Sequence, residues 1–205
     1  KSTPQNMIGW DSNKLSLDGF SDNQGWIKVD LKPLHRIHIT YDNKMRNINR
    51  IYARNKKKGK LLYRKYKKRE RNRVKNYLCH VIKKMASIAA IHGFEKLEKQ
   101  KMNRRYHHKW NRELNHTDWR KIVSFMKNRA KIIEVNPAYT SKMCPRCGEI
   151  NKALKGERIF ACLMCGLKLD RQLSGSININ LRMRGVSPRK EYFDTNIVGG
   201  FPLIG

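Results

Sequence analysis

What this 205-residue chain has little of is acid: 16 Asp and Glu stand against 46 Lys and Arg, a formal net charge of +30. Such a surplus repels itself unless it meets a polyanion, so salt-sensitive binding to nucleic acid is expected, with an anionic membrane surface as the competing partner. The sequence also lacks any apolar run near the ~18 residues that a spanning helix needs, and it shows no signal peptide. A membrane partner is therefore not expected. Cysteine is scarce as well, and four of the five fall into two close pairs. That usage suits metal binding in a reducing compartment rather than a disulfide framework. The fifth, Cys79, sits in a helical pattern and reads as a buried bystander. With 39% hydrophobic residues a packed core is attainable, for one substantial domain and a small satellite rather than three domains. The chain opens on Lys1 rather than Met; a piece of a longer protein is one account of this, processing another.

Residues Met7–Trp10 are apolar and end in Asp11. Leu15–Phe20, Trp26–Leu31 and Arg36–Tyr41 then read as short strands between turn residues, and the opening looks like a three-stranded antiparallel meander. From Arg46 to Lys84 there are 17 Lys or Arg and one acid, Glu70. Val74, Leu78, Val81, Met85 and Ile88 recur at steps of three and four, one apolar stripe along an otherwise cationic helix. A solvated face is one reading of so much charge; a phosphate backbone supplying the counter-charge is the other. Ile88–Phe94 reads as a buried strand ending in Glu95. A helix follows from Thr117-Asp118 to about Arg129, then a strand at Lys131–Val135 and a last helix at Arg171–Arg184. Lys96–His116 and the tail from Gly185 show no period. The order of three strands, helix, strand, helix, strand, insertion and helix predicts an α/β layer fold with a mixed sheet, the element order of the RNase H-like fold.

Cys144-Pro-Arg-Cys147-Gly and Cys162-Leu-Met-Cys165-Gly are each C-x-x-C-G. Two such pairs can converge on one tetrahedral Zn²⁺, and four sulfurs with no spare ligand describe a closed, structural site. A redox-active dithiol pair and an iron–sulfur cluster are the alternatives. Asp11 and Glu95 each end an apolar strand, and Asp170 begins the helix after the cysteines. Acids meeting at strand ends can hold the two Mg²⁺ ions of phosphodiester chemistry, roughly 3.5–4 Å apart. Acids at strand ends are also common without that role, and Asp170 is equally well placed as an N-cap. The cluster Tyr106, His107, His108 and Trp110 reads either as a stacking surface for single-stranded nucleic acid or as a basic loop with incidental aromatics.

Thr140–Asn180 resembles the ribbon-and-helix segment of the TnpB (OrfB) proteins of insertion sequences, relatives of the type V CRISPR effector nucleases. That family's pattern there is T-S-x-x-C-x-x-C-G, a second C-x-x-C-G, and L-D-R-D-x-N-A-A-x-N-I. Ile8-Gly9-Trp10-Asp11 is similar to its first RuvC motif, and Gly93-Phe94-Glu95-Lys96-Leu97 to its second. The resemblance implies an RNase H-like (RuvC-like) domain over 1–139 and 167–205, an inserted zinc ribbon over 140–166, and N-terminal domains of a longer protein. It implies catalytic Mg²⁺ or Mn²⁺ held by Asp11 and Glu95, DNA and a guide RNA as partners, a role in transposition, and a prokaryotic cytoplasm with nucleoid association. One departure matters. The family's third acid, the second Asp of D-R-D, is Gln172 here; Ser174 replaces the family's Asn, and Lys96 the usual Asp of E-D-L. Asp170, two residues earlier, points about 200° away on a regular helix and could serve only if the helix start shifts. An RNA-guided DNA endonuclease, a nuclease-dead nucleic-acid-binding relative, and an unrelated zinc-ribbon protein with Asp11 and Glu95 far apart are the three readings.

Overall fold

The computed structural model describes residues 6–102 and 107–196. Its first three strands are β1 (Met7–Ser12), β2 (Ser16–Ser21) and β3 (Gly25–Asp30), followed by α1 (Lys32–Ile51) and α2 (Lys56–Ile88). Next come β4 (Ile91–Glu95), α3 (Lys99–Met102), α4 (His108–Asn115), α5 (Trp119–Lys127) and β5 (Lys131–Val135). The ribbon strands β6 (Ile159–Ala161) and β7 (Lys168–Asp170) lead to α6 (Arg171–Met183) and α7 (Lys190–Asn196). Strands β3-β2-β1-β4-β5 form one mixed sheet: β1 to β3 are an antiparallel meander, while β1, β4 and β5 run parallel. This is the predicted mixed sheet with flanking helices.

Period-two alternation along the strands decides which layer each residue joins. Ile8 and Trp10 face one way, into a core with Leu78, Ile82 and Met85 of α2 and Ile122 and Met126 of α5. The opposite face is covered by α6, whose Leu173, Ile177 and Leu181 pack with Phe20, and whose Ile179 and Met183 pack with Ile91 and Val135. The Asn180 amide donates to the Met7 and Phe20 carbonyls, at 3.1 and 3.2 Å, and fixes α6 across β1 and β2.

Two sequence expectations are corrected. Arg36–Tyr41 is not a strand but part of α1: its short alternation belongs to a longer helical stripe, Leu34, His38, Tyr41, Met45 and Ile48, all buried. Pro33 in the first turn suits a helix start. Cys79 is exposed rather than buried, because it falls one residue off the stripe that carries Leu78.

The single acid of the basic stretch has a defined place. Glu70 is buried and its Oε1 lies 2.7 Å from His38 Nδ1, while His38 Nε2 lies 2.6 Å from Asp118 Oδ2. Lys67 and Lys121 cap the two carboxylates from outside, each on its own helix turn. Burial disfavours the charged ring, but the bonds to Asp118 and Glu70 outweigh it and raise the His38 pKa above its ordinary 6.5. Burial likewise opposes ionisation of Glu70 and Asp118, and hydrogen bonds from His38 and the lysines hold both below their ordinary values. This ionic chain ties α1, α2 and α5 together.

The two carboxylates contribute stability above their ordinary values of 4.5 and 3.8 and lose it as pH falls through the depressed ones. His38 contributes fully below 6.5 and loses it as pH rises through its raised value. His38→Ala should therefore cost about 3–5 kcal/mol, the loss typical of breaking a buried ion pair. In urea titrations the gap to the parent should be widest between pH 4.5 and 6.5 and shrink on the alkaline side. A gap that does not vary with pH would show that His38 is not charged in the fold.

Candidate active site and metal centre

In the parallel register of β1 and β4, Trp10 is opposite Phe94. The next residue of each strand, Asp11 and Glu95, therefore emerges side by side on the face that α6 covers, at the carboxyl ends of the strands. Asp11 is 7% exposed. Burial and then the neighbouring Glu95 charge push its pKa up to about 8, against a hydrogen bond from Asn13 Nδ2 at 3.0 Å. Glu95 is also raised by burial, although the Thr140 hydroxyl donates to its Oε1. Two buried acids that both resist ionisation leave a site short of positive charge. The reading that needs Asp11 and Glu95 far apart does not hold.

Asp170 is the N-cap of α6. Its Oδ1 accepts the Gln172 backbone N–H at 2.8 Å, and Arg158 Nε lies 3.4 Å from its Oδ2. Gln172 Oε1 accepts from Lys28 Nζ at 3.4 Å, and the same ammonium lies 3.5 Å from Asp18 Oδ1. Three contributors escaped sequence reasoning. Asp18 sits directly opposite Asp11 in the β1–β2 register and is fully buried. It accepts from Ser16 Oγ at 2.7 Å and Trp26 Nε1 at 3.2 Å, and the Asn13 amide bridges it to Asp11. Thr140, after β5, and Asn178 of α6 act together: Asn178 Nδ2 donates to the Thr140 and Met143 carbonyls at 2.8 and 2.7 Å. Alternation along β2 would have placed Asp18 on the face of Asp11. Nothing in the sequence pairs Thr140 with Glu95.

The four cysteines converge. Their sulfurs all lie within 4.8 Å of one another, with Cys144–Cys165 at 3.6 Å and Cys147–Cys162 at 3.5 Å. A tetrahedron with 2.3 Å Zn–S bonds has an edge of roughly 3.8 Å, so the cluster is the size that zinc requires. The glycines after each pair, Gly148 and Gly166, take φ of 81° and 70°, which lets the chain turn so tightly around the sulfurs. Burial raises the Cys162 thiol, but backbone N–H groups of Cys165 and Met164 outweigh it and bring its pKa to about 7, whereas burial pushes Cys144 and Cys147 up, so without a metal the four sulfurs hold their protons unevenly. This closed four-cysteine cluster can hold Zn²⁺.

A family model for the Cas12f1-like TNB domain matches residues 119–179, from α5 through the ribbon into α6. A TnpB-like protein of Methanocaldococcus jannaschii is 33% identical over 181 residues, 87% of this chain and 43% of that protein. A putative transposase of the same organism is 32% identical over 82 residues, and the chain spans 75% of it. The chain belongs to the TnpB family. It spans about half the length of the first curated TnpB-like relatives that it matches, 43% and 55%. The solved Cas12f1-sgRNA-target DNA complex shares the fold, with a TM-score of 0.60 at 21% identity over 88% of this chain and 50% of that one.

In this TnpB-family chain a cleft of about 450 Å³ opens beside Glu95, lined among others by Lys96, Lys99, Trp119, Arg120 and Lys127. The lining also holds Glu98 and Glu134, and Lys127 pairs with Glu134. On α1 and α2, Lys44 stacks over Tyr41 and Tyr66, while Arg69 and Arg73 stack over Tyr66 and Tyr41 respectively. Tyr106 lies outside the described residues; His107 and His108 are exposed, and Trp110 is 43% exposed. Among the described residues, no helix is long and apolar enough to cross a membrane.

Proposed function

We propose that this chain is the nuclease portion of a TnpB-type RNA-guided DNA endonuclease, in which Asp11 and Glu95 hold Mg²⁺ or Mn²⁺ for phosphodiester hydrolysis. The observation that carries this reading is the juxtaposition of those two acids at adjacent parallel strand ends, beside a cleft whose wall includes Lys96, Lys99 and Arg120. Their donors fit the group: hard carboxylate oxygens in a site short of positive charge suit a hard divalent cation. When bound, such a cation supplies an activated water and stabilises the charge that develops on the phosphate. The chain's own groups do the rest. Asn13 and Thr140 orient the two carboxylates, Lys96 and Arg120 draw the phosphate backbone in, and the basic faces of α1 and α2 track nucleic acid outside the cleft.

In this reading the RuvC-like unit comprises 1–139 and 167–205, and the ribbon 140–166. The longer proteins of the family carry further segments, and a guide RNA would be bound largely by them. The setting is a prokaryotic cytoplasm, on the nucleoid. Asp170 serves as the helix cap rather than as a metal ligand, since its oxygens are taken by Gln172 and Arg158.

A nuclease-dead, nucleic-acid-binding relative is the second reading. Gln172 favours it, because an amide tied to Lys28 offers no negative charge where the family has its third acid. Cleavage of labelled single-stranded DNA with Mg²⁺ or Mn²⁺ decides between them. Wild type should cut slowly, and Gln172→Asp should cut about 10–100-fold faster, as restoring a metal-supporting carboxylate does. Binding without cutting in both proteins would establish the second reading.

A further inference from the structure

Among the described residues, two buried oxygens of α6 find no hydrogen-bond partner, Ser174 Oγ and Asn178 Oδ1. Both residues are 0% exposed, so water does not satisfy them from the surface. They lie four residues apart, one turn along the same helix face. Their neighbours on that flank of α6 show what the face meets. Arg171 and Arg182 interact electrostatically with Asp11 and Glu95 respectively. Gly175 leaves the helix against Asp11, where a Cβ would come within 3.1 Å of the carboxyl carbon. Asn178 is oriented without ambiguity: its Nδ2 is held by the Thr140 and Met143 carbonyls, which need a donor, so Oδ1 is the end left over. Thr140 itself donates to Glu95. The two orphaned acceptors thus lie on the flank of α6 whose neighbours Arg171, Gly175 and Arg182 meet Asp11 and Glu95.

We infer that Ser174 Oγ and Asn178 Oδ1 are ligands to the divalent cation held by Asp11 and Glu95, replacing with neutral oxygen what Gln172 does not supply. This rests on the metal-dependent reading above. The chemistry is consistent with it: Mg²⁺ and Mn²⁺ take hydroxyl and amide oxygens beside one or two carboxylates. A buried hydroxyl without a partner is costly unless something else occupies its lone pairs. Gln172, an amide engaged with Lys28, brings no charge of its own to the acids.

The test uses the zinc-loaded full chain and Mn²⁺, with free Mn²⁺ followed by its electron paramagnetic resonance signal. Wild type should bind Mn²⁺, Asp11→Asn should abolish that binding, and Ser174→Ala should weaken it about tenfold, as loss of one supporting oxygen does. Ser174→Cys should raise affinity for Cd²⁺ relative to Mn²⁺, since a thiolate prefers the softer ion. Without added divalent ion, Ser174→Ala should unfold at the same temperature as wild type or higher, because it deletes an unpaired hydroxyl. If Asp11→Asn abolishes binding while Ser174→Ala binds as tightly as wild type, the ligand assignment is wrong and the acid pair stands. If wild type binds no Mn²⁺, or Asp11→Asn binds it unchanged, the acid pair itself is misread and the assignment falls with it. A Ser174→Ala protein that loses stability without metal marks the hydroxyl as a packing group and also overturns the assignment.

Discussion

Removing metal from the cluster of Cys144, Cys147, Cys162 and Cys165 is expected to unfold the ribbon while the five-stranded sheet stays folded. Beyond a few polar ties, such as Asn178 to the Met143 carbonyl and Arg146 to Asp194, the ribbon has little else to hold it. Its apolar core is Leu154 and Phe160 beside the cysteines themselves, with Leu167 packed at the edge, and its sheet has only β6 and β7. A two-stranded sheet of three-residue strands is not stable alone. Structural zinc typically contributes about 10–16 kcal/mol of apparent binding free energy at neutral pH, all of it to folding. Hydrogen exchange should therefore show protection lost across 143–170 after chelation and kept in β1, β4 and α2. Cys162→Ser should reproduce that pattern together with a loss of bound zinc. Protection that survives chelation would mean the metal is not what holds the ribbon.

Asp11→Ala should lower divalent-dependent DNA cleavage by about 10³-fold or more, because it removes several kcal/mol of metal-borne charge stabilisation. Zinc content and DNA affinity should be unchanged: the ribbon cysteines lie elsewhere, and affinity comes from the lysines and arginines that neutralise phosphate. The effect on folding should be mild or favourable. Asp11 is buried with its pKa at about 8, so the metal-free fold disfavours its charge, and stability is lost as pH rises from 3.8 towards that value. Undiminished cutting by Asp11→Ala would show that the cleavage arises elsewhere.

The ribbon and the parallel strands were legible because their signals are local. Two C-x-x-C-G units state a metal site on their own, and the apolar runs before Asp11 and Glu95 announce strands whose ends carry acids. Arg36–Tyr41 misleads because six residues of alternation, taken without Leu34, Met45 and Ile48, hide the helical stripe that those three complete. The rest depends on register and packing between distant segments. Glu70 reads as a lone surface acid in a basic run until α1 and α5 bring His38 and Asp118 to it. Asp18 is one more residue of the Leu15–Phe20 strand until β2 pairs with β1 and sets it opposite Asp11. Thr140 meets Glu95 across 45 residues. Sequence can name the residue types for such contacts but not their partners, because only closure of the fold chooses them.

The placement of α6 has a consequence for timing. Asn180 reaches the Met7 and Phe20 carbonyls across 173 and 160 residues of chain, so this helix docks through contacts of very high sequence separation. Such contacts form late, and a chain emerging from the ribosome folds from its N-terminal end first. Asp11 and Glu95 can come together early, while the helix that roofs them leaves the ribosome about 80 residues after Glu95. A nascent chain therefore carries an open acid pair until α6 docks over it.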